Sequence, residues 1–350
     1  MSRVSSGCAR VFCTLCLLWT GCQKDQGQSS GSQPAAASTT PKDQAEHPGG
    51  GAKRKIAVIP KGTTHEFWKS VHAGANKAAE ELGVEVIWKG PVREDDRDEQ
   101  IKVVENFIAS HVDAIVLAPL DEQALVPAAS EAKREGIPVV IIDSDMKWDG
   151  RVSFVATDNY QGGAIAARRL GSLLGSKGRL IVLRYQEGSA STAQRERGFL
   201  ETLQKEQPQI EVVSSNQYGG ATTESAYKTS ENLLVKWKEV DGVFCPNEST
   251  TFGMLRALQD AKRAGQLKFV GFDSSDKLVE ALSKDELSGL VLQNPFRMGE
   301  LGVRAAVDKL DDKPVQARID TGVQLVTREN MQEPAVKAVL TPDLAAWLKR

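Results

Sequence analysis

Nine side chains suited to directed hydrogen bonding or ring stacking stand close behind short apolar runs in this 350-residue chain. Lys61, His65, Phe67 and Trp68 follow IAVIP (56–60), and Asp143 ends PVVIID (138–143). Arg195 lies in QRERG, downstream of RLIVLRY (179–185). Asn247 follows DGVFCP (241–246), Asp273 ends KFVGFD (268–273), and Gln293 lies in GLVLQNP (289–295). Carboxylate, amide and guanidinium groups each make two directed hydrogen bonds, which suits vicinal hydroxyls, while Phe and Trp faces pack on the apolar C–H face of a ring. No member of the set needs to be a nucleophile. The chain also lacks a GxSxG elbow, a P-loop, an HExxH pair and a GxGxxG after its first strand, so neither an enzyme nor a cofactor is expected.

Each residue also has a plainer role open to it. Asp273 is placed to cap the next helix together with Ser274 and Ser275, and Asn247 to cap a helix beginning near Glu248. Phe67 and Trp68 suit a hydrophobic core, and Arg195 suits a solvated helix face.

The elements that must position these groups alternate in a regular way. Besides the runs already named, VEVIW (84–88), AIVLAP (114–119), SFVAT (153–157) and IEVVSS (210–215) have the β-branched character of strands. The segments between, such as 66–82 and 121–135, carry apolar residues at helical spacing. Strand–helix alternation predicts parallel sheets covered by helices on both faces, and the pattern starts again after Asn159, so two similar α/β lobes are expected. In such sheets ligands sit beyond the carboxyl ends of the strands, which is where the nine residues fall.

Composition narrows the partners. Forty-four Lys and Arg against 46 Asp and Glu give a formal charge of −2, so no global positive field would draw nucleic acid. Four of the five cysteines, Cys8, Cys13, Cys16 and Cys22, crowd the start, leaving Cys245 as a buried small hydrophobe and no disulfide framework in the body. No paired metal-ligand spacing occurs in the body, and no metal site is expected. At the N-terminus, Arg3 and Arg10 precede the apolar run 11–19, too short to span a bilayer, which predicts a secretory signal over 1–22. It ends in Leu18-Trp19-Thr20-Gly21-Cys22, similar to a bacterial lipobox, with Cys22 as the lipidated residue, although Trp19 stands where such motifs usually have Leu. Residues 23–52 are poor in apolar side chains and are expected to form a flexible tether.

The body resembles the ribose-binding group of type I periplasmic binding proteins that serve ABC importers. AVIPKGTTHEFW, AGANKAAEELG, APLD, PVVIID, TDNYQGG, TAQRERGF, GVFCPNESTTFGMLRAL, VGFDSSD and LVLQNPFRMG occur in family order and cover the chain from Ile56 to about Val326. The resemblance implies an α/β fold of two Rossmann-like lobes with parallel sheets joined by three hinge crossovers, near 157–159, 293–295 and 320–322. It implies lobes of 53–157 plus 294–321 and of 158–293 plus 322–350. It also implies that Phe67 and Trp68 flank a sugar ring beside His65, and that Asp143, Arg195, Asn247, Asp273 and Gln293 bond its hydroxyls.

Departures from the family pattern weigh against ribose itself. Ala118 replaces an Asn, Ser144 an Arg, and Lys61 a small polar residue, with Lys61 or Asp145 expected to supply some of the missing contacts and Tyr218 to close one side of the pocket. The expectation is a monomeric, exported, lipid-anchored protein that hands a monosaccharide or similar polyol to ABC permease subunits. The alternatives are a sensor that passes a sugar or an autoinducer-2-like signal to a chemoreceptor or histidine kinase, and a regulator of the lactose-repressor type, which the absence of an N-terminal helix-turn-helix disfavours.

Overall fold

The computed structural model describes residues 52–348. The expected export signal, Cys22 and the expected tether, apart from its last residue, lie outside the described residues. The first βα series runs β1 (Lys55–Ile59), α1 (Glu66–Leu82), β2 (Glu85–Trp88), α2 (Arg97–Ala109), β3 (Ala114–Leu117), α3 (Val126–Arg134), β4 (Val139–Ile142) and β5 (Ser153–Ala156). The second runs α4 (Asn159–Leu173), β6 (Gly178–Arg184), α5 (Ala190–Glu206), β7 (Ile210–Tyr218), α6 (Thr223–Lys236), β8 (Gly242–Phe244), α7 (Glu248–Asp260), β9 (Lys268–Phe272), α8 (Asp276–Ser283) and β10 (Gly289–Leu292). After these come α9 (Pro295–Leu310), β11 (Arg318–Asp320), β12 (Gln324–Val326), α10 (Pro334–Leu340) and α11 (Ala345–Leu348).

Two six-stranded sheets result, in the orders β11-β5-β4-β3-β1-β2 and β12-β10-β9-β8-β6-β7. Every pairing is parallel except that of β10 with β12. The continuous apolar strands follow from burial on both faces. Ile56 and Val58 of β1 enter one core layer with α1 and α9, whereas Ala57 and Ile59 enter another with α2 and α3. The second lobe repeats the arrangement, with Ile181 and Leu183 facing α7 and Leu180 and Val182 facing α4 and α5.

Chain passages between the sheets fall at 157–158, 293–294 and 321–323, because α4 packs on the second sheet, α9 on the first, and β11 and β12 belong to different sheets. A fourth passage follows α10, whose Val336 and Leu340 lie in the second-lobe core, since α11 rests on α1 and Asn76 Nδ2 donates to the Trp347 carbonyl at 2.9 Å. Residues 345–348 therefore sit with the first lobe rather than the second.

Two close helix contacts fix α5, which carries Arg195. A Cβ at Gly163 of α4 would stand 1.9 Å from the Arg195 carbonyl oxygen, and one at Gly198 of α5 would stand 2.1 Å from the Tyr160 carbonyl oxygen. Only glycine permits that approach.

Candidate functional site

Each lobe ends its β4 or β9 strand with a buried aspartate in the left-handed backbone region, Asp143 at φ 61° and Asp273 at φ 67°. A non-glycine residue held there signals local strain that the surrounding structure maintains. The amide of Asp143 donates to the Val155 carbonyl and that of Asp273 to the Val291 carbonyl, so the neighbouring strand locks each turn. Each aspartate faces a cation of its own lobe. Lys61 Nζ lies 2.8 Å from Asp143 Oδ2, and Arg195 Nη1 lies 3.9 Å from Asp273 Oδ2.

The two halves close on one small cavity. All nine residues singled out from the sequence line it: Lys61, His65, Phe67, Trp68, Asp143, Arg195, Asn247, Asp273 and Gln293. Glu94, Tyr185, Ser191, Thr192 and Glu248 complete the wall.

Arg195 is 2% exposed, not a solvated charge. Its Nε donates to Asn159 Oδ1 at 2.8 Å, its Nη1 donates to the Pro246 carbonyl at 2.9 Å, and its plane lies over the Phe272 ring at 4.1 Å. Nη2 has no partner. Gln293 donates Nε2 to Asp273 Oδ1 at 2.7 Å and leaves its Oε1 unpartnered. One donor and one acceptor, both buried, are thus left unused beside Asp273. Burial pushes the Asp273 carboxyl up against the opposing pull of Arg195, and burial likewise lowers Arg195.

Asn247 combines two roles, because it lines the cavity and also caps α7, its Oδ1 accepting from the Thr250 amide at 3.4 Å. Asp273 does not cap α8. That task falls to Ser275, whose Oγ accepts from Leu278 N at 3.5 Å, while Asp273 Oδ2 accepts from the Glu248 amide at 3.2 Å.

Glu94 organises the aromatic side. Its Oε1 accepts from Trp68 Nε1 and lies 2.7 Å from His65 Nδ1, and its Oε2 accepts from the Tyr185 hydroxyl. Burial opposes charge on both partners, yet their mutual attraction wins, raising His65 to about 9 and lowering Glu94 to about 2. Trp68 meets Phe67 edge to face at 4.8 Å, and both rings belong to the first-lobe core while bordering the cavity.

Two expectations fail. Tyr218 lies off the cavity, with Arg184 4.7 Å over its ring, and Tyr185 lines the wall instead. Asp145 pairs with Arg151 at 3.2 Å and does not reach the site. Lys61 Nζ, besides Asp143, donates to Ser191 Oγ at 3.1 Å and reaches Ser189 Oγ at 3.4 Å. The sequence concealed Glu94 within the charged run 93–99, which has the composition of a solvated loop. The only available signal was its place behind β2, beyond the carboxyl end of a strand.

Two parallel α/β lobes, three central passages and a polar cavity between the strand ends define a hinged binding protein of the type I periplasmic architecture. The chain belongs to the periplasmic binding protein domain family, whose profile matches residues 56–314. The ribose import binding protein of Bacillus subtilis is 28% identical over 296 residues, covering 84% of this chain and 94% of that protein. A carbohydrate transporter solute-binding protein from Agrobacterium radiobacter, solved with D-arabinose, aligns with a TM-score of 0.80 at 34% identity, over 83% of this chain and 99% of that one. An ABC transporter solute-binding protein from Agrobacterium vitis with bound D-fucose gives 0.79 at 35% identity, over 82% and 99%.

Among the described residues no cluster suited to a metal ion occurs, and no helix is long and apolar enough to cross a membrane.

Proposed function

We propose that the protein captures a neutral monosaccharide by closure of its two lobes and delivers it to an ABC importer, anchored to the cell envelope through a lipid on Cys22. The observation that carries this reading is the pair of unused buried atoms beside Asp273, Arg195 Nη2 and Gln293 Oε1. A ring hydroxyl is both donor and acceptor and satisfies the two together, whereas leaving them bare in a closed cleft is unfavourable. Charge supports a neutral ligand. Lys61, His65 and Arg195 are matched by Glu94, Asp143, Asp273 and Glu248, so no cation is left over for a sugar acid. The relatives solved with D-arabinose and D-fucose support the same ligand class.

Thermal unfolding of the full chain against D-arabinose, D-ribose, D-fucose, D-tagatose, D-allose and D-galacturonate tests the reading. A neutral sugar at 100 times its Kd adds about 2.7 kcal/mol to stability. That corresponds to a rise of about 5 to 10 °C. A response to D-galacturonate alone refutes the neutral class, and silence across the panel refutes the sugar. Absence of lipid on the mature protein in metabolic labelling refutes the anchor.

A further inference from the structure

Helix α1, like α3, α5 and α10, takes no side-chain cap from the residue before it, whereas α2, α4, α6, α7, α8 and α9 do; the residue before α1, His65, has its Nδ1 engaged by Glu94. The open N–H groups of Glu66 and Phe67 are met instead from the opposite lobe. Glu248, first residue of α7, accepts the Glu66 amide on Oε1 at 3.3 Å and the Phe67 amide on Oε2 at 3.1 Å.

We propose that Glu248 is a positioning residue that caps α1 only when the lobes are closed, and that this cap slows release of the ligand. The inference rests on the hinged, ligand-closing reading above. The geometry joins the ligand site to the latch at both ends. Asp273, beside the unused donor and acceptor, takes the Glu248 amide at 3.2 Å, and Phe67, whose own amide is capped, lines the cavity. A ligand hydroxyl that orients Asp273 therefore also steadies the residue that seizes α1. In an open cleft the amides of Glu66 and Phe67 face water and Glu248 is hydrated, so the bond belongs to the closed state and biases the equilibrium toward it. An acid at a helix N-terminus also meets the positive end of the helix dipole.

Protonation provides an independent signature. In the closed form burial pushes Glu248 up to about 7, with His65 beside it pulling down and Asp273 pushing up. A hydrated glutamate titrates near 4.5, so closure takes up a proton between these values and the closed form gains as pH falls through 7.

The test compares wild type with Glu248→Ala and Glu248→Gln as full chains, using D-arabinose or whichever panel sugar shifts wild type most. Glu248→Ala is expected to raise the dissociation rate about 2- to 30-fold, the range typical of a lost cap, with the association rate and the ligand-free melting temperature nearly unchanged. In the sugar-bound state the Glu66 and Phe67 amides exchange faster in that variant than in wild type. Glu248→Gln, which keeps one acceptor of two, restores part of the slow release, and the tightening that wild type shows between pH 8 and pH 6 is reduced by the share that Glu248 contributes. An unchanged dissociation rate in Glu248→Ala, or a ligand-free melting temperature that falls in parallel with affinity, overturns the proposal. If no sugar shifts wild type, the ligand reading fails. The latch, which needs a ligand-closed form, then falls with it, whereas sugar binding with unchanged release in Glu248→Ala overturns the latch alone.

Discussion

Replacing Arg195 by lysine keeps a positive charge opposite Asp273 and removes the planar fork. The guanidinium serves four directions: Asn159 through Nε, Pro246 through Nη1, the Phe272 ring through its face, and, in the reading proposed above, a ligand hydroxyl through the unpartnered Nη2. An ammonium on a flexible stem cannot satisfy all four. Loss of one bond from a charged donor to a ligand hydroxyl removes about 1.5 to 3 kcal/mol. Affinity should therefore fall about 10- to 150-fold. An internal bond to Asn159 or Pro246 is lost as well, so the ligand-free protein should melt lower by several degrees, on the order of 2 to 4 °C per kcal/mol for a body of this size. This differs from the simplest view of a cleft residue, whose removal would spare the fold, because Arg195 holds α4, β8 and β9 of its own lobe together before any ligand arrives. Titration calorimetry with a panel sugar, alongside urea unfolding without it, separates the two effects. A Kd within about threefold of wild type would show that Nη2 does not reach the ligand and would refute the donor and acceptor argument.

Three further outcomes follow from the same geometry. The His65 and Glu94 pair should give stability a plateau between about pH 4.5 and 6.5: His65, raised to about 9, loses its contribution as pH rises from 6.5 through 9, and Glu94, lowered to about 2, loses its own as pH falls from 4.5 through 2. Chemical denaturation across pH should show this plateau in wild type and a flatter alkaline limb in Glu94→Gln, and identical limbs would count against the pair. Trp68→Ala should lower folding stability by about 3 to 5 kcal/mol, since the ring is 2% exposed and packed in the first-lobe core, and a variant that unfolds like wild type in urea would contradict that placement. Gly163→Ala should drive α5 off α4, lowering stability by about 1 to 3 kcal/mol and weakening sugar binding through Arg195, and unchanged affinity would show that α5 accommodates the methyl without moving its arginine.

The sequence alone determined the alternation of strands and helices, the restart that makes two lobes, and the rule that places Asp143, Asp273 and Gln293 beyond strand ends. These are properties of short range: apolar runs of strand length specify burial on both faces, and the chain direction of a parallel sheet sends the next residues to one edge. The boundaries moved only slightly, and helix 66–82 stands as the spacing predicted. Tertiary structure decided how each polar group is used. Glu94 meets Tyr185 across 91 residues and Glu248 meets Phe67 across 181, and neither partner carries a local mark of the other. Glu248 has the local pattern of an ordinary acid in a first helical turn, and Tyr185 that of the last apolar residue of its run. The return of α11 to the first lobe was hidden for the same reason, since a short apolar segment has no period that names its neighbour. Hydrogen bonds and charge pairs act over a few ångströms, so which groups remain unused in the cavity is known only once both lobes are in place.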